Sequence, residues 1–179
     1  MFENWNLYLG NFKVLYSRCM TVFIGADHRG FDLKNKLVEY LQEKNIRVED
    51  LGNYELDPLD DYPDFSAKVA QAVLQNPKEF IGIIVCGGAG VEITANRFKG
   101  IRCVVGFNKE QVKHIKENDH VNILALPSDY INLEEAKEFV DVFMKTPMKQ
   151  DEKYLRRVRK HDEIELKVNT PPQVEDLSS

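Results

Sequence analysis

Two short segments concentrate the groups able to do chemistry. Gly25-Ala26-Asp27-His28-Arg29-Gly30 sets a carboxylate beside an imidazole, and Cys86-Gly87-Gly88-Ala89-Gly90 sets a thiol ahead of a glycine-rich turn. A thiolate can remove a proton next to a carbonyl, and free amides can hold the oxyanion that such a step creates. Cys86 has an ordinary alternative as an inert core thiol. Exposure to the loop amides and a nearby cation would instead lower its pKa toward a usable thiolate. Glu92, a few residues along, is the rival base, with a first-turn helix position as its plain alternative. His28 suits a substrate hydrogen bond or an anion contact. Asp27 suits acid–base work or simple helix capping. Asp60-Asp61-Tyr62-Pro63-Asp64 adds a polar wall for substrate hydroxyls, and it is equally ordinary loop chemistry.

Several chemistries lack their residues. The first glycine segment runs directly into Phe31 and forms no GxGxxG, which disfavours nicotinamide and flavin enzymes, and no GxxxxGK[ST] is present. His114, His120 and His161 have no metal-like spacing and no CxxC pair occurs, so neither metal nor cofactor is expected.

Both segments follow apolar strands and precede helical stretches, which is how an open α/β sheet presents ligand groups. Residues 21–25 read as a buried strand, followed by Phe31, Leu33, Leu37, Tyr40 and Leu41 at near-helical spacing. Residues 46–52 read as a second strand, 53–63 as a loop, and Asp64 as the cap of a helix carrying Phe65, Val69, Ala72 and Val73. Phe80-Ile81-Gly82-Ile83-Ile84-Val85-Cys86 is apolar on both pleat faces, the mark of a central parallel strand. A short helix over 92–97, strands over 101–105 and 121–126, a polar helix over 109–117 and an amphipathic helix over 133–144 complete the pattern. The alternation predicts a Rossmann-like three-layer sandwich around a mostly parallel, five-stranded sheet.

The 179 residues, 43% apolar and 30% charged, suit one such domain. A net charge of −5 gives no global attraction to nucleic acid or an anionic membrane. Cys19, Cys86 and Cys103, odd in number and widely spaced, argue for a reducing cytoplasm over a disulfide framework. Residues 1–19 read as an N-terminal extension, too interrupted by polar side chains for a membrane span or a signal peptide. Residues 20–150 form the domain, 151–168 a charged helix suited to a neighbouring subunit, and 169–179 a flexible tail.

From about Met20 to Ile164 the chain resembles the type B ribose-5-phosphate and galactose-6-phosphate isomerase family. Residues 25–34 follow the family's G-x-D-H-x-G-x-x-L-K, Asp61-Tyr62-Pro63-Asp64 its D-Y-P-D, and Cys86 through Arg102 its C-G-T-G-x-G, A-N-K and G-I-R block. The resemblance implies a homodimer or homotetramer, with sites shared between subunits and a hetero-oligomer as a variant. It implies cofactor-free interconversion of an aldose phosphate and a ketose phosphate through an enediolate. Cys86 is then the base, with Glu92 one place beyond the glutamate that some members use. Asp27 assists at the sugar oxygens, and His120 is a substitute proton donor. The contacts it implies are His28, Tyr62, Gly87, Gly88, Gly90, Asn96, Asn108, Lys153 and Arg157.

The departures lie at the other ends of the substrate. The glycine loop is one residue short and lacks the threonine. Ring-opening histidines of the family fall at Phe107 or Asn118, and phosphate-site arginines fall at Asp129 and Lys153. A carboxylate at such a position opposes a phosphate, and a lysine replaces a fork by a point charge. Three readings stay open: isomerisation of ribose 5-phosphate or another sugar phosphate, isomerisation of an unphosphorylated sugar, or a non-catalytic sugar-binding subunit.

Overall fold

Aliphatic strands and amphipathic helices alternate through residues 20–168, which are the residues described by the structure, a computed structural model. In chain order they are β1 (Thr21–Ala26), α1 (Phe31–Glu43), β2 (Arg47–Asp50), α2 (Tyr62–Gln75), β3 (Phe80–Cys86) and α3 (Gly90–Ala95). There follow β4 (Cys103–Val105), α4 (Lys109–Asp119), β5 (Ile123–Pro127), α5 (Leu133–Lys145) and α6 (Glu152–Val168). The expectations for residues 1–19 and 169–179 lie outside the described residues.

Side chains leave a strand on alternate faces, and here each face has its own core. Val22, Ile24, Ile81, Ile83, Val85, Leu124 and Leu126 meet Leu37, Leu41, Val112, Phe139 and Phe143 of α1, α4 and α5. Phe23, Ile84, Cys86, Ile123 and Cys103 meet Val69, Val73, Val91 and Ala95 of α2 and α3. The layers are therefore helix, sheet and helix, as expected. Each fully buried Leu, Ile, Val or Phe contributes about 1.5–3 kcal/mol, so these two faces hold the sheet between its helical layers. Among the described residues no helix is long and apolar enough to cross a membrane.

The sheet order is β2-β1-β3-β5-β4 and every pairing is parallel, so the expected mostly parallel sheet is wholly parallel here. β1 continues through α1 to β2 on one side, whereas its neighbour β3 continues through α3 toward β4 on the other. Adjacent strands that leave in opposite directions open a crevice at their carboxyl ends. Asp27 follows β1 and Cys86 ends β3, so the topology aims both candidate segments into that crevice.

Local boundaries differ from the sequence reading in explicable ways. α2 begins at Tyr62 with Asp61 at its N-cap, because Pro63 is already in the helix's first turn and needs no N–H there. Asp64 instead supplies first-turn negative charge. α3 starts two residues earlier than the expected 92–97, drawing Gly90 into the helix. Gly30 is required for space: its φ of −90° suits any residue, but a Cβ there would lie 2.5 Å from the Val85 carbonyl carbon. That close approach seats the turn carrying Asp27 and His28 directly on the end of β3.

Candidate active site

The register pairs Ala26 with Val85, so one step further along the strands Asp27 stands beside Cys86. Both are buried, at 3% and 5% exposure. The Cys86 thiol donates to Asp27 Oδ2 at 3.0 Å, while Oδ1 accepts the Arg29 and Gly30 N–H groups at 3.1 Å each. One oxygen of Asp27 thus closes the turn ahead of α1, without capping the helix itself, and the other meets the thiol.

This neighbour reverses the expected titration of Cys86. Burial first, and then the hydrogen bond to the Asp27 carboxylate and its charge, push the thiol up to about 11, against the opposing pull of the Gly88 and Gly87 amides. The sequence reading made a lowered pKa conditional on loop amides and a nearby cation; the group in contact with the sulfur is an anion, which disfavours the thiolate.

His28 is fixed from below. Asp60 Oδ1 accepts both the His28 backbone N–H at 3.0 Å and a contact from ring Nδ1 at 2.7 Å. Asp60 Oδ2 accepts Asn53 Nδ2 at 2.7 Å, and the Asn53 carbonyl accepts from Lys34 Nζ at 2.8 Å. Lys34 is wholly buried and pairs with Asp50 at 2.5 Å. Burial alone would raise Asp60, but the bonds from His28 and Asn53 prevail and hold its carboxyl below the usual range. Asp60 therefore orients the imidazole from inside the protein, where the sequence reading had it as a wall for substrate hydroxyls.

The glycine loop lies between two larger side chains. A Cβ on Gly87 would fall 2.8 Å from Arg29 Cζ, and one on Gly90 would fall 2.6 Å from Tyr62 Cζ. Above Gly88 there is open space. The loop thus presents Gly88, next to the thiol, to anything entering from solvent. Arg29 pairs with Asp129, and Ser128 bonds both the Arg29 carbonyl through Oγ at 3.0 Å and the Cys86 carbonyl through its N–H at 2.9 Å.

Other expected residues stand apart from this group within one copy of the chain. Glu92 turns toward β4, where burial pushes its carboxyl up against a hydrogen bond from the Val105 N–H. Asn96 spends both ends of its amide on Cys103, donating to its carbonyl and accepting from its N–H at 2.8 Å. Asn108 caps α4 by accepting the Gln111 N–H at 2.8 Å. His120 ends α4 at the opposite rim of the sheet, buried, with Nε2 at 2.8 Å from the Lys149 carbonyl. Lys153 and Arg157 sit on α6, which packs against α4, and with Lys149 they surround the Tyr154 ring at 4.7, 5.9 and 5.4 Å. Phe107 is 65% exposed at the end of β4, and Asn118 lies between His114 and Lys149.

Sequence reasoning missed Arg29 as a member of the site and the Lys34–Asn53–Asp60 support. Its one available signal for the former was the carboxylate at 129, in a place that the resemblance fills with arginine. Among the described residues no group of three or more His, Cys, Asp or Glu is arranged to hold a metal ion.

The profile of the Ribose/Galactose Isomerase family matches residues 22–161. A probable ribose-5-phosphate isomerase B of Mycoplasma pneumoniae is 38% identical over 124 residues, 69% of this chain and 81% of that protein. The crystal structure of a ribose 5-phosphate isomerase from Thermotoga maritima superposes with a TM-score of 0.76 at 39% identity, covering 80% of this chain and 98% of that one. The ribose-5-phosphate isomerase B of Mycoplasma genitalium with bound ribulose-5-phosphate gives 0.79 at 34% identity, covering 82% and 97%.

Proposed function

The chain belongs to the ribose/galactose isomerase family, and on that premise we propose that it interconverts ribose 5-phosphate and ribulose 5-phosphate without a cofactor. The observation that carries this reading is the 3.0 Å contact between Cys86 and Asp27 in the crevice between β1 and β3. A relative 34% identical over nearly its whole length has been crystallised with ribulose 5-phosphate, which supports the choice of pentose.

In this mechanism the thiol proton passes to Asp27, already its hydrogen-bond acceptor, as the substrate enters. The Cys86 thiolate then removes the proton from C2 of the open-chain aldose. The electron pair shifts onto O1, giving an enediolate that the Gly87 and Gly88 amides stabilise. Cys86 delivers a proton to C1, in part of the turnovers after exchanging it with solvent, while the hydroxyl proton moves from O2 to O1, leaving the ketose. His28, oriented by Asp60, and Tyr62 border the remaining sugar oxygens. Phe107 transfers no proton, so the enzyme draws on sugar that has opened in solution.

Lys149, Lys153 and Arg157 form a basic cluster at the far rim from Cys86 in their own subunit. In this reading the protein is a homodimer in which that cluster closes the phosphate end of the partner's site. Two buried free thiols suit a reducing compartment such as the cytoplasm.

The test is exchange at C2 of ribose 5-phosphate in deuterated water. Cys86→Ala abolishes exchange and Glu92→Ala retains it; the opposite pattern transfers the base to Glu92 and removes the thiol from the mechanism.

A further inference from the structure

Among the described residues, the side chain with a fixed positive charge that lies against the glycine loop is Arg29, and the mechanism above gives it no task. Its guanidinium lies over Gly87, the residue after Cys86, close enough that a Cβ there would fall 2.8 Å from Cζ and displace it. The side chain is 55% exposed, so it faces the crevice mouth while remaining in contact with the loop. It is also held in place. Asp129 pairs with Nη2, and Ser128, one residue earlier, ties the Arg29 carbonyl to the β5–α5 turn and that turn to the Cys86 carbonyl. Two segments 100 residues apart thus meet over the end of β3 to fix one guanidinium.

The charges around it make the arrangement informative. Asp27, Asp60 and Asp129 all border the crevice, and the chain carries a net charge of −5, so an anionic substrate meets a repulsive field unless a cation offsets it. A guanidinium offers five N–H donors in a rigid fork, and the Asp129 contact engages Nη2, leaving further donors for a second anion. Lysine or a neutral residue would lack both the fork and the reach across Gly87.

We infer that Arg29 is an anion contact of this site, binding the phosphate of the sugar from the β1–α1 turn while Asp129 holds it over the glycine loop. The inference rests on the isomerase reading for the identity of the anion, but its geometry is tested without turnover. Asp129, which by position opposes a phosphate, thereby becomes the anchor of the group that binds it.

Inorganic phosphate titrated by calorimetry into the full-length Cys86→Ala protein, and into the same protein with Arg29→Ala, separates the two readings. Loss of a charge-assisted fork lowers phosphate affinity by about tenfold or more. Arg29→Lys, which keeps the charge and loses the fork, falls between the two. Exchanging the pair, with Arg29→Asp and Asp129→Arg together, preserves the bridge and returns a guanidinium to the same contact, so affinity recovers. Equal phosphate affinity with and without Arg29 overturns the inference. So does a loss in Asp129→Asn as large as that in Arg29→Ala, because breaking the bridge while keeping the guanidinium then removes everything that Arg29 supplies, and it is only a brace for the loop. Neither result depends on exchange at C2, so failure of the isomerase reading shows separately in the wild-type protein.

Discussion

Burial and the Asp27 carboxylate keep the proton on Cys86 up to about pH 11 in the unliganded protein, so its reactivity is a direct readout of the contact that defines the site. Iodoacetamide attacks only the thiolate. The alkylation rate at Cys86, followed by peptide mass spectrometry, is expected to rise about tenfold per pH unit from neutrality and to level off only near pH 11. Asp27→Asn removes the negative charge yet leaves a side-chain oxygen for the Arg29 and Gly30 amides. The plateau then moves to lower pH, although burial still keeps it above an ordinary cysteine's. An unmoved plateau in Asp27→Asn would show that burial alone sets the thiol. Isomerase activity of the same variant falls despite the more reactive thiol, because the acceptor for the thiol proton is gone. Asp60→Ala frees the His28 ring from the carboxylate that orients it, and its cost falls on KM for the sugar phosphate, measured by steady-state kinetics. The direction of the Cys86 shift was not legible in the sequence, because Asp27 and Cys86 stand 59 positions apart and are brought together by the β1–β3 register. Arg29 and Asp129 were hidden for the same reason, whereas Asp27 and Cys86 announced themselves by standing at strand ends.

At the scale of elements, apolar runs and helical periodicity carried the order of strands and helices, since each face of the sheet must find its own apolar cover. Periodicity is silent about where polar side chains satisfy backbone groups. Asn96 and Asn108 entered as substrate contacts through the resemblance, and within one copy of the chain the first pins α3 to Cys103 of β4 and the second caps α4. Gly82 inside β3 and Gly30 seated on its end separate packing from positioning. A Cβ at Gly82 would lie 2.7 Å from Val69 Cγ1 and 2.8 Å from Ile123 Cγ1, so Gly82→Ala overpacks the sheet face and costs about 1–3 kcal/mol by urea unfolding. Gly30→Ala meets the Val85 backbone instead, which cannot swing aside. It loses comparable stability and additionally loses C2 exchange, because the Asp27–His28 turn must lift from Cys86; retained exchange would show that the turn has slack. Lys116, the last-turn lysine of α4, makes a different prediction. It is buried beneath β5, donating to the Val121 carbonyl at 3.0 Å and lying 4.3 Å from the Phe143 ring centroid. Burial, and then the charge of Arg102, lower its pKa to about 8 from the ordinary 10.5. Between those values the unfolded chain holds a proton that the native state lacks, so stability rises with pH across that window. Relative to Lys116→Met, the wild-type protein gains about 3 kcal/mol from pH 8 to above 10.5. The difference between the two urea-unfolding curves cancels the opposing thiols, which are common to both, and a flat difference would place the ammonium in solvent.

For the whole molecule, the distribution of exposed apolar side chains is more telling than their number. Tyr54, Leu56 and Leu59 lie on the loop after β2, Phe107 follows β4, Tyr130 follows β5, and Ile93 stands on α3. All six gather at the carboxyl rim of the sheet, around the mouth of the site, where water would otherwise meet both the thiol and the enediolate. A large exposed apolar patch marks an interaction surface or a ligand groove, and the proposed dimer would cover this one with a second copy of the chain. The basic cluster on α6 is at the far rim of its own subunit, so a second copy can bring it to this mouth while burying the apolar border. Sedimentation equilibrium is then expected to give twice the 20.7 kDa of one chain. Mass alone leaves open whether the sites are shared, but mixing two inactive proteins decides it. On the proposed mechanism Cys86→Ala lacks the base, and in the proposed dimer Arg157→Ala lacks the cation lent to the partner. In a hybrid dimer one site receives both defects and the other receives neither. Random reassortment makes about half of the molecules hybrid, each with one intact site, so about a quarter of wild-type activity returns on mixing. If each subunit completes its own site, every site in the mixture keeps one defect and no activity returns.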